Sequence, residues 1–216
     1  MTTRDSARAR TNHSDSGWHD VAAVAVRAGK LVVFPTETFY AIGADPMQPC
    51  ALAAVVQIKG REPDKPIALI ASDTDSAFAI ARAIPADARL LAERFWPGPL
   101  TLVLPAREGF AEALIGPNGG IGVRVSSHPT ACALARAAGG LVTATSANLS
   151  GQPPARTLAE ARQSLGTRIS VYVDGGALDS DAPSTVVEFS EDSSCWIVRA
   201  GLIDPSAITF ALGRPR

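Results

Sequence analysis

Nine polar side chains lie at the ends of predicted elements or inside predicted strands, and all are cationic or carry small hydrogen-bonding groups. They are Thr36, Thr38, Lys59, Arg61, Arg124, Ser146, Asn148, Ser184 and Arg199. Guanidinium, ammonium, hydroxyl and amide groups bind anions such as phosphates and carboxylates. The set contains no nucleophilic cysteine and no cluster of metal ligands, so it indicates catalysis by positioning and charge neutralisation. Adenylyl and phosphoryl transfer need little more than this from a protein.

The histidines and cysteines argue against other chemistries. His128 is the sole histidine beyond the N-terminal region and no G-x-S-x-G motif occurs, so a Ser-His-Asp hydrolase is disfavoured. Cys50, Cys132 and Cys195 form no C-x-x-C pair, so we expect neither a disulfide framework nor a metal site. Glu37 is a candidate general base, but without a perturbing partner it is interpreted as an orienting or solvated group.

The segment 31–61 positions the first part of the polar set. An apolar strand over 31–34 stops at a proline and leads into the hydroxyl-rich loop 35–40, and a helix over 49–59 then ends in cationic residues. Polar groups at a strand end lie at the sheet edge where open α/β folds bind ligands. A purely structural interpretation also fits, in which the loop hydroxyls satisfy local backbone groups and the cations follow a helix C-terminus.

A second polar cluster follows another predicted strand. The strand over 141–144 opens into the hydroxyl- and amide-rich stretch 145–150. Arg124 lies inside the apolar strand 121–125, where a cation needs a partner or a ligand. The glycine-rich segment 116–122 lacks the Lys-Ser/Thr pair of a P-loop, so it is predicted to be a turn.

The remaining elements predict an α/β fold with a mixed sheet. Further helices are predicted over 20–29, 73–84, 130–140, 158–165 and 205–212, and further strands over 67–71, 100–106, 169–173, 184–190 and 195–201. Another helix begins at Pro85 and is expected to direct Leu90, Leu91 and Phe95 toward the core, before a rigid bend over 96–99. The last two strands follow each other without a helix, which is typical of a mixed sheet.

Length and composition favour one globular domain. The 216 residues, 46% hydrophobic and 19% charged, fit a single domain over 18–216 behind a polar, disordered leader over 1–17. The net charge of -1 argues against a surface that binds nucleic acid everywhere, although it allows a local basic cleft. No apolar run approaches the roughly 20 residues of a membrane span, so we expect no membrane association and a cytoplasmic location.

Six short motifs in one order carry a family resemblance. They are PTETFY (35–40), KGR (59–61), WPGPLT (96–101), VRV (123–125) with HP (128–129), TSANLSG (145–151), and STVV (184–187) followed by RAG (199–201). With these motifs the chain resembles the YrdC family, in particular its single-domain threonylcarbamoyl-AMP synthases, over about 20–212.

The resemblance implies a twisted open mixed sheet flanked by helices, with a concave and positively charged cleft. It implies a nucleotidyltransferase that converts L-threonine, bicarbonate and ATP into threonylcarbamoyl-AMP and pyrophosphate with Mg²⁺. The product serves the N6-threonylcarbamoyladenosine modification of tRNA. The family also implies hand-off to the tRNA threonylcarbamoyl transferase complex, and it suggests contact with tRNA or double-stranded RNA.

Residue roles carry over from the matching motifs. The resemblance implies nucleotide binding by Lys59, Arg61, Ser146, Asn148 and Arg199, with Lys59 and Arg61 catalytic. It implies threonine binding by Thr36, Thr38, Arg124 and Ser184. Two departures concern the threonine pocket: Ala41 stands where the family often has glycine, and Ile70 or Ala71 stands where many members have histidine.

Alternative functions remain open on these residues. A module that binds double-stranded RNA or assists ribosome assembly would use the same cleft, but it is expected to have basic residues spread over a face. A paralogue that keeps the nucleotide site could use a different acceptor. The carbamoyl-transfer module of hydrogenase maturation is disfavoured, because its companion acylphosphatase and zinc-finger segments are not found in this sequence.

Overall fold

The computed structural model describes residues 17–60, 65–190 and 192–213, in which helices and short strands alternate. The helices are α1 (Trp18–Arg27), α2 (Pro49–Lys59), α3 (Thr74–Phe78), α4 (Ala86–Phe95), α5 (Pro129–Ala137), α6 (Leu158–Leu165) and α7 (Pro205–Ala211). The strands are β1 (Val32–Phe34), β2 (Ala41–Gly43), β3 (Leu69–Ala71), β4 (Leu100–Pro105), β5 (Gly120–Val125), β6 (Leu141–Thr143), β7 (Thr145–Ser146), β8 (Val171–Tyr172), β9 (Thr185–Phe189) and β10 (Cys195–Arg199). The predicted leader lies outside the described residues except for Gly17.

The strands form two mixed sheets, which confirms the mixed α/β fold. One sheet has the order β7-β2-β1-β8 and the other has the order β10-β9-β4-β5-β3-β6. The pairs β1–β8, β3–β5 and β4–β9 are parallel, whereas the remaining pairs are antiparallel. The two sheets are joined at β6, where the Thr143 amide donates to the Ala44 carbonyl at 3.0 Å. The Ala44 amide in turn donates to the Thr143 hydroxyl at 2.8 Å.

Two clusters of buried apolar side chains hold the helices on these sheets. The larger cluster includes Leu91 of α4, Leu102 of β4 and Val123 of β5. The smaller cluster packs α1 and α5 against the sheets through residues such as Val26 and Leu134. The removal of these side chains from water is the main favourable contribution to folding. It holds in place the strands that carry the polar side chains of the site described below.

Two local predictions were wrong and one strand was missed. The helix predicted over 73–84 ends at Phe78, because Ala81 instead forms a bridge with Ala106 beside the end of β4. Leu90 is 49% exposed, because the buried positions of α4 lie on the opposite side of that helix. The strand β2 was not predicted: it pairs antiparallel with β1, so the loop 35–40 connects two neighbouring strands.

None of the helices in the described ranges combines the length and the hydrophobicity that are needed to span a bilayer.

Gly201 allows the chain after β10 to pass directly against the segment before β9. A Cβ atom at this position would lie 2.2 Å from the Pro183 carbonyl oxygen and 2.6 Å from the Thr185 nitrogen. The Gly201 amide donates to the Thr185 hydroxyl at 3.0 Å, and the Leu202 amide donates to the Pro183 carbonyl at 2.9 Å. Because the obstructing atoms belong to the backbone, they cannot move aside independently.

We predict that Gly201→Ala lowers the free energy of unfolding by about 3 kcal/mol, the upper part of the range for overpacking. The matched control is Gly17→Ala, where no heavy atom lies within 4 Å of the added Cβ and the change is expected to stay near 0.5 kcal/mol. Urea denaturation of the two variants and the parent measures both values. Equal losses in the two variants would show that the close approach at Gly201 is not a constraint.

Candidate functional site

A cavity of about 530 Å³ opens between residues of the two sheets, and we call it the cleft. Its lining residues are 38–41, Pro66, Ala68, Thr101, Val103, Gly122, Arg124, 144–146, Pro154, Asp181, Pro183, Ser184, Val186 and Arg199. The four-stranded sheet contributes β2 and β7, and the six-stranded sheet contributes β4, β5, β9 and β10. The cleft therefore depends on both sheets.

The face of β5 toward the cleft carries Gly122 and Arg124, which are two residues apart and so lie on the same side of the strand. A Cβ atom at Gly122 would lie 3.5 Å from a Thr101 methyl group and 3.8 Å from Val103, so a side chain there would occupy space in the cleft. The segment 116–122 was predicted as a turn into a strand over 121–125, and the strand begins one residue earlier, at Gly120. The alternation of glycine, glycine and arginine over 120–124 is a sequence signal that would have revealed this face.

The loop 35–40 is organised by the hydroxyl of Thr36. This group donates to the Phe39 carbonyl at 2.8 Å and accepts from the amides of Thr38 and Phe39 at 3.2 and 3.3 Å. The Thr38 hydroxyl lies 3.0 Å from it and lines the cleft. Both interpretations of the loop are thus supported, since Thr36 satisfies backbone groups while Thr38 faces the candidate site.

Arg124 is held from behind by Glu37. The Arg124 Nε donates to Glu37 Oε1 at 3.0 Å, and the two side chains are only 6% and 11% exposed. The second carboxylate oxygen of Glu37 accepts a hydrogen bond from the Ser126 hydroxyl. Burial lowers the pKa of the neighbouring His128, and this outweighs the opposing effect of the Glu37 charge. Arg124 is thus the cationic partner of Glu37, a partner that the sequence did not reveal.

Arg199 and Ser184 form the opposite part of the lining. The Arg199 Nε and Nη2 donate to the Ser184 carbonyl at 3.2 and 2.9 Å, and Nη2 also reaches the Ser184 hydroxyl at 3.1 Å. That hydroxyl lies 2.9 Å from the Thr101 hydroxyl. Arg199 as a whole is exposed, but the desolvation of its guanidinium, together with the charge of Arg124, lowers its pKa. Two guanidinium groups, those of Arg124 and Arg199, therefore line the same cleft.

Lys59 lies beneath the stretch 145–150 and is 4% exposed. Its Nζ lies 2.8 Å from the Ser146 carbonyl, 3.3 Å from the Ser146 hydroxyl, 2.7 Å from the Asn148 carbonyl and 2.8 Å from Asn148 Oδ1. The Asn148 amide nitrogen donates to the carbonyls of Leu149 and Gln152. Lys59 thus holds the stretch 145–150 from the side away from the cleft, whereas Ser146 lines the cleft.

The structure brings most of the predicted site residues together. Five of them line the cleft: Thr38, Arg124, Ser146, Ser184 and Arg199. Three support these from behind: Thr36, Lys59 and Asn148. Arg61 lies outside the described residues. The predicted set did not include Ser126, which anchors Glu37, or Asp181, an acidic residue among those lining the cleft.

The two departures from the family pattern lie in regular strands. Ala41 lines the cleft from β2, and it is not among the described residues with positive φ. An L-residue is therefore unstrained at this position. Ile70 is fully buried in β3 and is the register partner of Arg124 on β5. Its side chain contributes to the smaller apolar cluster.

Tyr40 ties the loop 35–40 to the segment that follows β8. The Tyr40 side chain is fully buried, and its hydroxyl donates to the Gly176 carbonyl at 2.7 Å and accepts from the Gly175 amide at 2.9 Å. Burial is the main reason that the pKa of this phenol is raised. The two glycines lie near the start of the segment 174–184, which we call the strap because it connects β8 of one sheet with β9 of the other.

Comparisons with known proteins agree with one another. The family model Sua5_yciO_yrdC, described as telomere recombination, matches residues 24–201. The chain is 37% identical to the threonylcarbamoyl-AMP synthase of Alkalilimnicola ehrlichii over 82% of its own length and 93% of that protein. It superimposes on Pyrococcus abyssi Sua5 complexed with L-threonine with a TM-score of 0.86 and 33% identity. It superimposes on Escherichia coli YciO with a TM-score of 0.77 and 26% identity.

The coverage of these structures differs. The superposition on Pyrococcus abyssi Sua5 includes 92% of this chain but only 58% of the Sua5 chain, so the match spans little more than half of that protein. The superposition on Escherichia coli YciO includes 86% of this chain and 90% of the other.

We predict that Tyr40→Phe lowers the free energy of unfolding by about 1–2 kcal/mol, because two backbone groups of the strap lose their partner. Tyr172→Phe is the matched control: its hydroxyl donates to the Gly166 carbonyl at 2.8 Å within the four-stranded sheet region, and we expect a loss of about 0.5–1 kcal/mol. Urea denaturation measures both values. Amide hydrogen exchange should accelerate at Gly175 in the first variant only, and unchanged exchange there would contradict the tether.

Proposed function

Because this chain belongs to the Sua5, YciO and YrdC family, we propose that it is an L-threonylcarbamoyladenylate synthase. The family membership confirms the resemblance that the sequence motifs indicated. In the proposed reaction, L-threonine, bicarbonate and ATP give threonylcarbamoyl-AMP, pyrophosphate and water. The product supplies the N6-threonylcarbamoyladenosine modification of tRNA. One observation carries this proposal: Arg124, Ser146, Ser184 and Arg199, from segments far apart in the sequence, line a single cleft.

The proposed reaction forms a carbon–nitrogen bond and then an oxygen–phosphorus bond. The cationic side chains of the cleft suit both steps. The amine of threonine attacks the carbon of bicarbonate to give a carbamate, with loss of water. A carbamate oxygen then attacks the α-phosphorus of ATP, and pyrophosphate leaves. Every reactant is an anion or carries a carboxylate, so the guanidinium groups of Arg124 and Arg199 bring the charges together and neutralise them. No covalent bond to the protein is needed.

In this proposal, one group of residues binds threonine and another binds ATP. Arg124 and Thr38 hold the threonine carboxylate, with Thr36 supporting them. Ser184 contacts threonine from the opposite part of the lining, next to Arg199. Ser146 and Arg199 contact the phosphates of ATP. Lys59 and Asn148 fix the Ser146 stretch, and the ammonium of Lys59 adds positive charge behind it. Arg61 is proposed to contact the phosphates, as the family motif implies.

Magnesium is proposed to enter as the counter-ion of ATP. Mg²⁺ is usually held by substrate phosphates with one or two carboxylates, and Asp181 is the carboxylate among the residues that line the cleft. Within the described ranges, no three histidine, cysteine or acidic residues cluster into a metal site of their own. The ion therefore belongs to the substrate in this proposal.

The wider setting of the enzyme is proposed from the same reaction. Residues 18–216 act as one domain in the cytoplasm, where tRNA is modified. The mixed anhydride that is formed is reactive, so direct hand-off to the threonylcarbamoyl transferase complex would protect it from water. The guanidinium groups of the cleft are also suited to contact with the phosphates of tRNA.

The direct test is pyrophosphate release from ATP, measured with and without L-threonine and bicarbonate. We expect release to require both co-substrates, and we expect the product to have the mass of threonylcarbamoyl-AMP. ATP turnover that does not respond to threonine would replace this proposal with a paralogue that uses another acceptor. A protein that turns over no nucleotide but binds double-stranded RNA would instead support the RNA-binding module.

The division of substrates predicts a specific effect of Arg199→Ala. The KM for ATP should rise by about tenfold to a hundredfold, as expected for the loss of a charge-assisted contact, while the KM for threonine changes less. Arg162→Ala is the matched control, since this arginine lies over the Tyr172 ring, 4.3 Å from its centroid, and does not line the cleft. Steady-state kinetics with each substrate varied in turn measures the split. A larger effect on threonine than on ATP would reverse the assignment.

A further inference from the structure

Glu37 has both carboxylate oxygens engaged and does not line the cleft. Oε1 accepts from Arg124 Nε at 3.0 Å, and Oε2 accepts from the Ser126 hydroxyl. Ser126 is itself fixed, because its oxygen also accepts from the His128 amide at 3.1 Å. Glu37 is absent from the residues that line the cleft, so it does not meet a substrate there. Its position therefore suits a group that acts through Arg124.

The contacts of Arg124 determine which of its hydrogens face the cleft. A guanidinium has five N–H groups. The Nε hydrogen is directed to Glu37, and one Nη2 hydrogen is directed to the Thr36 hydroxyl at 3.4 Å. Among the described residues, no buried side-chain nitrogen or oxygen lacks a hydrogen-bond partner. Nη1 has no such partner, so it must reach the open space of the cleft, which Arg124 lines.

This geometry separates the two edges of the guanidinium. The side edge, made by Nε and one Nη2 hydrogen, faces the loop 35–40. The end edge, made by Nη1 and the other Nη2 hydrogen, is left for a ligand. Two parallel N–H groups on one edge match the two oxygens of a carboxylate.

We infer that Glu37 is a positioning residue, which turns the end edge of Arg124 toward the carboxylate of threonine and supplies the counter-charge that keeps it there. The inference rests on the proposed function, because it takes threonine as the ligand. Glu37 also offsets the charge of Arg124 in a cleft that already contains a second guanidinium, that of Arg199. Without Glu37, the two like charges would favour rotation of Arg124 away from the ligand.

The test is Glu37→Gln, which keeps the size of the side chain and removes its charge. We expect the KM for threonine to rise by about tenfold to a hundredfold, with kcat and the KM for ATP changed much less. Glu188→Gln is the matched control, because this carboxylate on β9 accepts from the neutral Asn118 amide at 3.0 Å and does not line the cleft. An unchanged KM for threonine in Glu37→Gln would overturn the inference.

A double-mutant cycle separates positioning from a general structural effect. If Glu37 acts through Arg124, Glu37→Gln should add nothing to the threonine defect of Arg124→Ala. Defects that multiply would show that Glu37 acts independently, and this would overturn the inference. If Glu37→Gln does not fold, Glu37→Asp carries the test, because it keeps the charge and withdraws it by one methylene. A raised KM for threonine supports positioning, and an unaltered one excludes it.

The wild-type protein distinguishes the failure of this inference from the failure of the proposed function. If wild-type pyrophosphate release does not respond to threonine, the synthase proposal fails and the role of Glu37 toward threonine fails with it. If the wild type requires threonine and Glu37→Gln requires it equally, only the inference fails.

Discussion

A guanidinium that has been removed from water needs a counter-charge, and the cleft depends on the way in which Glu37 supplies one to Arg124. The two residues come from the loop after β1 and from the C-terminal end of β5, 87 positions apart, so their ion pair also joins the two sheets. Breaking a buried pair by removing one partner is strongly destabilising, because it leaves an uncompensated charge. The ion pair between Glu37 and Arg124 thus connects the two sheets and also orients the guanidinium of Arg124, which lines the cleft.

The three described cations of the candidate site differ in how much of their hydrogen-bonding capacity the protein uses. The ammonium of Lys59 is surrounded by oxygens of Ser146 and Asn148 and is almost fully buried. Arg124 gives one edge to the protein and keeps the other for the cleft. Arg199 leans on Ser184 and remains exposed at the margin. A ligand in the cleft would therefore meet the half-anchored guanidinium of Arg124 and the exposed side chain of Arg199, while the charge of Lys59 lies behind the lining.

Local patterns in the sequence predicted many of the helices and strands, because the residues of each element determine where it begins and ends. The bounds of α2 and α6 are those predicted, and the break at Pro35 places the polar loop correctly. The strand β2 was missed because three residues carry too little alternation to be recognised. The partnership of Glu37 with Arg124 was not predicted either, since side chains that meet only after the sheets have formed leave no periodic signal.

The walls of the cleft come from distant parts of the chain, so they are synthesised at different times. Its walls include Thr101 of β4 and Ser184, whose hydroxyls meet across 83 positions, and β4 pairs in parallel with β9. The last wall residue, Arg199, ends β10, the edge strand beyond β9. During synthesis from the N-terminus, the polar loop 35–40 therefore leaves the ribosome long before its opposite wall exists. While the chain is being synthesised, the polar side chains of this loop have no opposite wall and no substrate. The cleft forms only when β9 and β10 have joined the six-stranded sheet.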